Sequence, residues 1–170
     1  MEEIYFECNV KPLFEKVLRE TIKIENDKII ITESDEDKQK DNKTLRDFYY
    51  DFAIQKIKNN EWNYVIVENT NPPLKIQIVR SGIDEWRSHT SHRKQIICIQ
   101  ALPYFIKNMT NIIPEKNDPS KGKKNVEYFY KAECSNVIIN DENHTVKLTI
   151  IKRLSEDHRF YSLYIAGLYI

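Results

Sequence analysis

The chain has 170 residues, of which 41% are hydrophobic and 31% are charged, enough for one domain with a sizeable buried core. It contains 3 glycines, where average usage predicts about a dozen. No two of them are close enough to cradle a phosphate, which excludes P-loop and dinucleotide-binding fingerprints. No apolar run reaches the roughly 20 residues of a membrane span. The acidic start also lacks a signal peptide's basic and apolar regions, so we expect a cytoplasmic protein without a membrane partner.

The cysteines and histidines give no signature of a structural metal. Cys8, Cys98 and Cys134 are isolated and odd in number, which argues against a disulfide framework and a zinc knuckle and favours free thiols in a reducing compartment. His89 and His92 are three residues apart, but no third ligand nearby completes a familiar metal-binding pattern. The sequence therefore predicts neither a metal nor another cofactor.

Charge divides the chain into two halves. Residues 1–74 carry a net charge of −5 and residues 75–170 a net charge of +5, so that the whole chain is neutral. The proline-containing segment 69–73 breaks the chain between them. We expect an acidic N-terminal extension or subdomain over 1–74 and a second domain over 75–170, whose basic balance suits a phosphate-binding surface.

The acidic half alternates helices with strands. Residues 12–18 predict a short helix with proline in its first turn, and residues 28–32 predict a strand. Residues 34–41 predict an exposed charged loop. A capping box of Thr44 and Asp47 then begins a helix that runs to about Asn59. Residues 62–67 predict one more strand.

The basic half begins with a strand and helices and ends in strands. The predicted elements are a strand over 75–79, a short helix over 83–88, a helical stretch from Arg93 that Pro103 kinks or divides, an exposed loop over 114–125, and three antiparallel strands from 126 to 169. The pattern favours an α+β fold with helices packed on one face of an antiparallel sheet. The other face of that sheet is free to stay open.

Chemistry-bearing side chains concentrate between residues 81 and 94. His89 and His92 lie here, and because a free imidazole has a pKa of about 6.5, two such groups can divide the roles of base and acid near neutral pH. The cations Arg93 and Lys94 follow, and such groups bind phosphate and stabilise charge on it. Metal-independent RNA cleavage needs this set of groups. The competing interpretation is a polar connection between a strand and a helix.

The strands supply further candidates. Lys131 and Lys147 alternate with apolar residues, which indicates either a solvated sheet face or a basic floor that binds phosphate. Arg159 is a third cation on a predicted strand, and Arg80 precedes the central segment. Tyr161 and the neighbouring strand aromatics either stack bases or pack in the core.

Six short segments of the basic half match the motifs of a known domain family: 78–83, 88–89, 101–108, 126–130, 146–150 and 159–161. Through them the basic half resembles a nuclease-like domain of large polyvalent phage and mobile-element proteins, in the barnase–EndoU–colicin–RelE superfamily. The resemblance covers about residues 75–170.

This resemblance implies an RNase-like fold in which helices pack on a four-stranded antiparallel sheet with a cleft on its open face. Residues 1–74 would then be an N-terminal α/β extension. The alignment carries over His89 as a general acid or base. From physical reasoning we add His92, Lys131 and Tyr161 as catalytic candidates, with substrate-binding roles for Arg80, Arg93, Lys94, Lys147 and Arg159.

The resulting hypothesis is a metal-independent, toxin-like endoribonuclease of a mobile element that acts on tRNA, rRNA or mRNA. Residues 1–74 or a separate inhibitory partner would shield its basic cleft. The alternative is a non-catalytic module on the same fold that binds nucleic acid or protein. A third interpretation, which the neutral overall charge favours, is an interaction protein without a nucleic-acid role.

Overall fold

The computed structural model of the chain describes residues 21–118, 120, 123–155 and 157–167. The helix predicted over 12–18 and Cys8 lie outside these residues. The strands are β1 (Ile22–Glu25), β2 (Lys28–Ile31), β3 (Tyr64–Val67), β4 (Leu74–Gln77), β5 (Thr110–Lys116), β6 (Val126–Ile139), β7 (Glu142–Arg153) and β8 (His158–Ile165). The helices are α1 (Asp35–Lys38), α2 (Asn42–Lys58), α3 (Arg80–His89), α4 (Arg93–Cys98), a 3₁₀ turn (Ile99–Ala101) and α5 (Leu102–Lys107).

The eight strands form one mixed sheet that curls into a half-barrel. Its order is β1-β2-β6-β7-β8-β4-β3, and β5 pairs with β6 beside this path. The last three strands form the predicted antiparallel meander. β2 joins β6 and β4 joins β8, both in parallel.

The predicted four-stranded antiparallel sheet with helices on one face is therefore wrong. The reason lies in the length of β6, whose 14 residues pair along one edge first with β5 and then with β2. The alternation of apolar residues identifies a strand but does not specify its partner, and parallel pairing between distant segments leaves no local signal. Strands from both sides of residue 74 thus belong to the same sheet.

Local capping and edge effects explain smaller differences. α2 begins at Asn42 rather than Thr44 because the Asp41 side chain accepts a hydrogen bond from the Thr44 backbone N–H at 2.7 Å. Ser34 caps α1 in the same way inside the predicted loop. β5 was missed because its exposed, polar sequence resembles a loop. Pro103 divides the predicted helical stretch rather than kinking it, because this residue lies in the first turn of a separate helix, α5.

The core lies between the helices and one face of the sheet. α2 contributes Leu45, Tyr49 and Phe52. α3 contributes Trp86, and α5 contributes Phe105. Along β6, β7 and β8, residues that alternate with the core positions point to the opposite, open face. That open face carries Phe129, Lys131, Glu133, Lys147, Thr149, Ile151, Arg159 and Tyr164.

Candidate functional site

The site is built where α3 lies against β8. A Cβ atom on Gly82 would lie 2.4 Å from the backbone oxygen of Phe160, so only glycine allows this close approach. Residues three and seven positions further along a helix fall near the same side. Glu85 and His89 therefore lie along the flank of β8.

A β-bulge turns Tyr161 toward this helix. Thr149 pairs with Ser162 and Ile150 pairs with Phe160, which leaves Tyr161 as the additional residue on β8. Glu85 lies close enough for its negative charge to act on the Tyr161 hydroxyl. Burial, followed by the negative charge of Glu85 and the hydrogen bond to it, raises the pKa of Tyr161. The phenol therefore stays protonated at neutral pH and serves as a hydrogen-bond donor.

The same carboxylate holds His89. Glu85 Oε1 lies 2.9 Å from His89 Nε2, at the i,i+4 spacing of helix neighbours. His89 exposes 66% of its side chain, whereas Glu85 exposes 27%. We assign the Nε2–H tautomer from this contact, because a carboxylate accepts. The exposed Nδ1 atom is then free to accept a proton.

A row of aromatic rings and cations continues from Tyr161 across the open face. The Lys123 ammonium lies 4.7 Å from the centre of the Tyr161 ring. The centre of the Phe129 ring lies 6.0 Å from the centre of the same tyrosine ring. The Lys131 ammonium lies 5.8 Å from the Phe129 ring and donates a hydrogen bond to the Thr149 hydroxyl at 3.3 Å. We call this set the Tyr161 strip, and it consists of Glu85, His89, Lys123, Phe129, Lys131 and Tyr161.

Three of the four predicted catalytic residues, His89, Lys131 and Tyr161, belong to this strip. The fourth, His92, caps the start of α4, where its Nδ1 accepts from the Lys94 backbone N–H at 3.2 Å. Beside it, the Lys94 ammonium lies 3.1 Å from His144 Nε2 and 3.0 Å from Glu142. The sequence did not anticipate that the two imidazoles would enter different networks.

The predicted substrate-binding cations are engaged with carboxylates. Arg80 lies 3.8 Å from Asp84, and Arg159 lies 2.8 Å from Asp157. Lys147 pairs with Glu133. The other pairs are Lys94 with Glu142 and Arg93 with Glu33.

Arg93 has a structural role. Besides its pair with Glu33, its guanidinium donates to the carbonyl oxygens of Lys40 at 2.7 Å and Asp37 at 2.6 Å, and to the Asn42 side chain at 2.9 Å. These bonds tie the start of α4 to the turn between α1 and α2. The guanidinium is thereby used within the protein.

A groove of about 690 Å³ adjoins the strip on the same open face. Lys131 and Thr149 line it, together with the Lys147–Glu133 pair and the exposed ring of Tyr164. Asn111 donates to Glu133 at 2.6 Å, and the bonds from Lys147 and then Asn111 lower the pKa of Glu133. The groove thus places two of the predicted cations side by side.

Two members of the strip were missed by sequence reasoning. Glu85 had a detectable signal, because a carboxylate four residues before a histidine on a helix is positioned to orient it. Lys123 had none, since its place beside Tyr161 depends on tertiary contacts that leave no local pattern in the sequence.

The comparisons with known proteins place the chain in a family. The family model described as large polyvalent protein-associated domain 3 matches residues 36–161, which include all of the strip. The chain belongs to this family. The match begins well before residue 75, so the family's domain includes α2 and β3 as well as residues 75–161 of the basic half. No curated protein and no solved structure matches the chain significantly.

Two further findings concern the described residues. None of their helices has the length and apolarity needed to cross a membrane. Within the same residues, no three His, Cys, Asp or Glu side chains are grouped so as to hold a metal ion.

Proposed function

We propose that the Tyr161 strip binds single-stranded RNA and cleaves it as a metal-independent endoribonuclease. The single observation that carries this proposal is the Glu85 carboxylate, which lies 2.9 Å from His89 Nε2 and also acts on the Tyr161 hydroxyl at the end of an open sheet face. The nuclease resemblance of the sequence contributes the reaction class, although its four-stranded fold does not apply. The family contributes the setting, which we infer to be a large polyvalent protein of a phage or mobile element.

The chemistry follows from the assigned tautomer of His89. Its Nδ1 takes the proton of a ribose 2′-hydroxyl, and the 2′-oxygen attacks the adjacent phosphorus. The bond from phosphorus to the 5′-oxygen breaks, and that oxygen takes a proton from solvent. The products are a 2′,3′-cyclic phosphate and a 5′-hydroxyl end. Glu85 stabilises the imidazolium that forms on His89.

Lys123 and the aromatic rings account for substrate binding. Among the described residues, the contact recorded for the Lys123 ammonium is with a neutral ring, which leaves its charge to act on phosphate oxygens. The half-buried rings of Phe129 and Tyr161 offer surfaces on which unpaired bases stack, typically worth about 1–3 kcal/mol per base. Lys131 provides a second cation further along the strip. A paired duplex would keep its bases away from these rings, which favours single-stranded substrates.

Cleavage of labelled single-stranded RNA in EDTA tests the reaction. We expect His89→Ala to slow cleavage by about 10²- to 10⁴-fold, the usual contribution of a general base. Glu85→Gln should also slow cleavage. His92→Ala is the matched control, because this imidazole caps α4, and it should stay within a few-fold of the unaltered protein. If no preparation cleaves RNA, or if His89→Ala cleaves normally, the enzyme proposal is wrong.

The second candidate is a non-catalytic module that binds nucleic acid or protein through the same face. The ion pairs of Lys147, Arg159 and Arg80 favour its protein-binding form, because cations that are paired with carboxylates are less available to phosphate. RNA affinity that falls steeply with salt, without turnover, would identify a nucleic-acid-binding module. An inhibitory partner, and shielding by residues 1–74, remain predictions under either function.

A further inference from the structure

One buried amide, that of Asn117, links Lys123 to the start of β6. The Asn117 side chain donates both of its N–H groups, to the carbonyl oxygens of Lys123 at 2.6 Å and Val126 at 2.8 Å. Its backbone N–H donates to the Glu127 oxygen at 3.0 Å. Only 9% of Asn117 is exposed. One side chain therefore fixes the backbone of Lys123 relative to the start of β6.

The fixed backbone has a consequence for the charge on Lys123. A lysine in an exposed connection ordinarily samples many rotamers and keeps its ammonium in water. Here the ammonium lies 4.7 Å from the centre of the Tyr161 ring, which is the ring next to Glu85 and His89. The hydrogen bond from Asn117 to the Lys123 carbonyl oxygen keeps the Lys123 side chain close enough to contact the Tyr161 ring.

We propose that Asn117 is a positioning residue that holds the Lys123 ammonium at the phosphate-binding end of the Tyr161 strip. This inference rests on the proposed RNA-binding function for its purpose, while the contact it concerns exists in the free protein. Asn117 itself touches no substrate in this account. Its influence passes through the carbonyl oxygen of Lys123, so its effect on RNA binding should depend on the lysine being present.

The first test uses the 170-residue chain without a ligand. Ring current from Tyr161 shifts the NMR signals of the Lys123 methylene protons, and Asn117→Ala should return them to the values of an ordinary exposed lysine. Asn108→Ala is the matched control, because Asn108 also donates its side-chain amide to a backbone oxygen, that of Tyr104 at 2.8 Å, but at the end of α5. It should leave the Lys123 signals unchanged. An unaltered Lys123 shift in folded Asn117→Ala would overturn the proposal.

The second test measures the affinity of a 2′-deoxy analogue oligonucleotide, which the protein cannot cleave, at several salt concentrations. A single-strand phosphate contact contributes about 0.7 to the slope of log affinity against log salt. Lys123→Gln should lower the slope by about that amount, and Asn117→Ala should do the same. The double variant should be no weaker than Lys123→Gln alone. A general loss of stability would not produce this slope change or this non-additivity.

The outcomes separate this inference from the function on which it rests. Changed Lys123 signals without measurable oligonucleotide binding would support the positioning contact and contradict RNA binding. Suppose that the unaltered protein binds the oligonucleotide and that Asn117→Ala and Lys123→Gln lower its affinity additively. This result would contradict the positioning role and leave the RNA-binding function supported.

Discussion

Gly82 of α3 and Phe160 of β8 are in backbone contact: a Cβ atom on Gly82 would lie 2.4 Å from the Phe160 oxygen and 2.8 Å from a carbon of its ring. A real Cβ atom does not approach a backbone oxygen so closely, so any larger residue must move the helix. Because Glu85 and His89 follow on the same side of α3, this contact also determines their distance from Tyr161.

Gly82→Ala should therefore destabilise the protein. Alanine favours a helix over glycine by about 1 kcal/mol, whereas overpacking at a tight contact costs about 1–3 kcal/mol, and the fixed carbonyl oxygen makes the second effect the larger. Urea unfolding measures the difference. Ser81→Ala, on the exposed neighbouring residue, should change stability by less than about 0.5 kcal/mol. A more stable Gly82→Ala protein would show that the close approach is wrong.

Two adjacent carboxylates on α3, Asp84 and Glu85, should each raise the pKa of a different tyrosine. Burial and Glu85 raise the pKa of Tyr161, so Glu85→Gln should lower it toward its ordinary value, with the contribution of burial remaining. Asp84 hydrogen-bonds the Tyr50 hydroxyl at 2.6 Å and raises the pKa of that group. Asp84→Asn should therefore lower the pKa of Tyr50 and leave Tyr161 unaffected. NMR titration of ring-labelled tyrosine resolves both pKa values. An unchanged pKa of Tyr161 in Glu85→Gln would show that Glu85 does not act on Tyr161.

Stability should rise as the pH increases toward about 6.5, the ordinary pKa of histidine, and should level off above it. Desolvation, and then nearby lysines, lower the pKa of His144 and of His158 below the ordinary value of 6.5. Below pH 6.5 the unfolded chain binds more protons than the folded protein, so the free energy of unfolding decreases as the pH falls through this window. Urea unfolding at several pH values measures the slope. The double variant His144→Gln with His158→Gln should flatten it, and an unchanged slope would contradict the assignment.

The buried pair of Tyr49 and Asp37 should contribute measurably to stability. The Tyr49 hydroxyl donates to Asp37 Oδ2 at 2.6 Å, and both residues are almost fully buried. Tyr49→Phe removes this donor from a buried carboxyl group and should cost about 1–3 kcal/mol. Tyr104→Phe is the control, because Tyr104 is 44% exposed, and its effect should be close to zero. Equal unfolding midpoints for the two variants would argue against the buried pair.

A fragment of residues 75–170 should not fold by itself. Removing residues 1–74 deletes β2, α2 and β3, and with them core residues such as Ile31, Tyr49 and Val67. It also exposes the edge of β6 that pairs with β2. We expect a spectrum with poor amide dispersion in NMR, compared with that of the full-length chain. A well-dispersed, cooperatively unfolding fragment would show that the basic half is an independent domain.

Local patterns predicted much of the secondary structure. The apolar spacing of Leu45, Tyr49 and Phe52 identified α2, and the alternation through residues 126–165 identified the final meander. Such signals depend on neighbours within one or two turns or on adjacent strand positions. The short, exposed strands β1 and β5 carry no such signal, because few of their side chains enter the core.

The candidate site shows the same division. His89, Lys131 and Tyr161 could be selected from sequence because each has a side chain suited to phosphate chemistry. Their relationship could not, since it depends on a bulge in β8 and on the approach of α3 at Gly82.

The amino-acid sequence by itself determined the residue types, the helix and strand periodicities and the imbalance of charge between the two halves. Only the tertiary structure decided that β2 and β4 join the meander in parallel and that Glu85, rather than a second imidazole, is the partner of His89. The physical reason is that periodicity records which face of an element is apolar. Its partner is selected by packing and hydrogen bonding between segments that are distant in the chain.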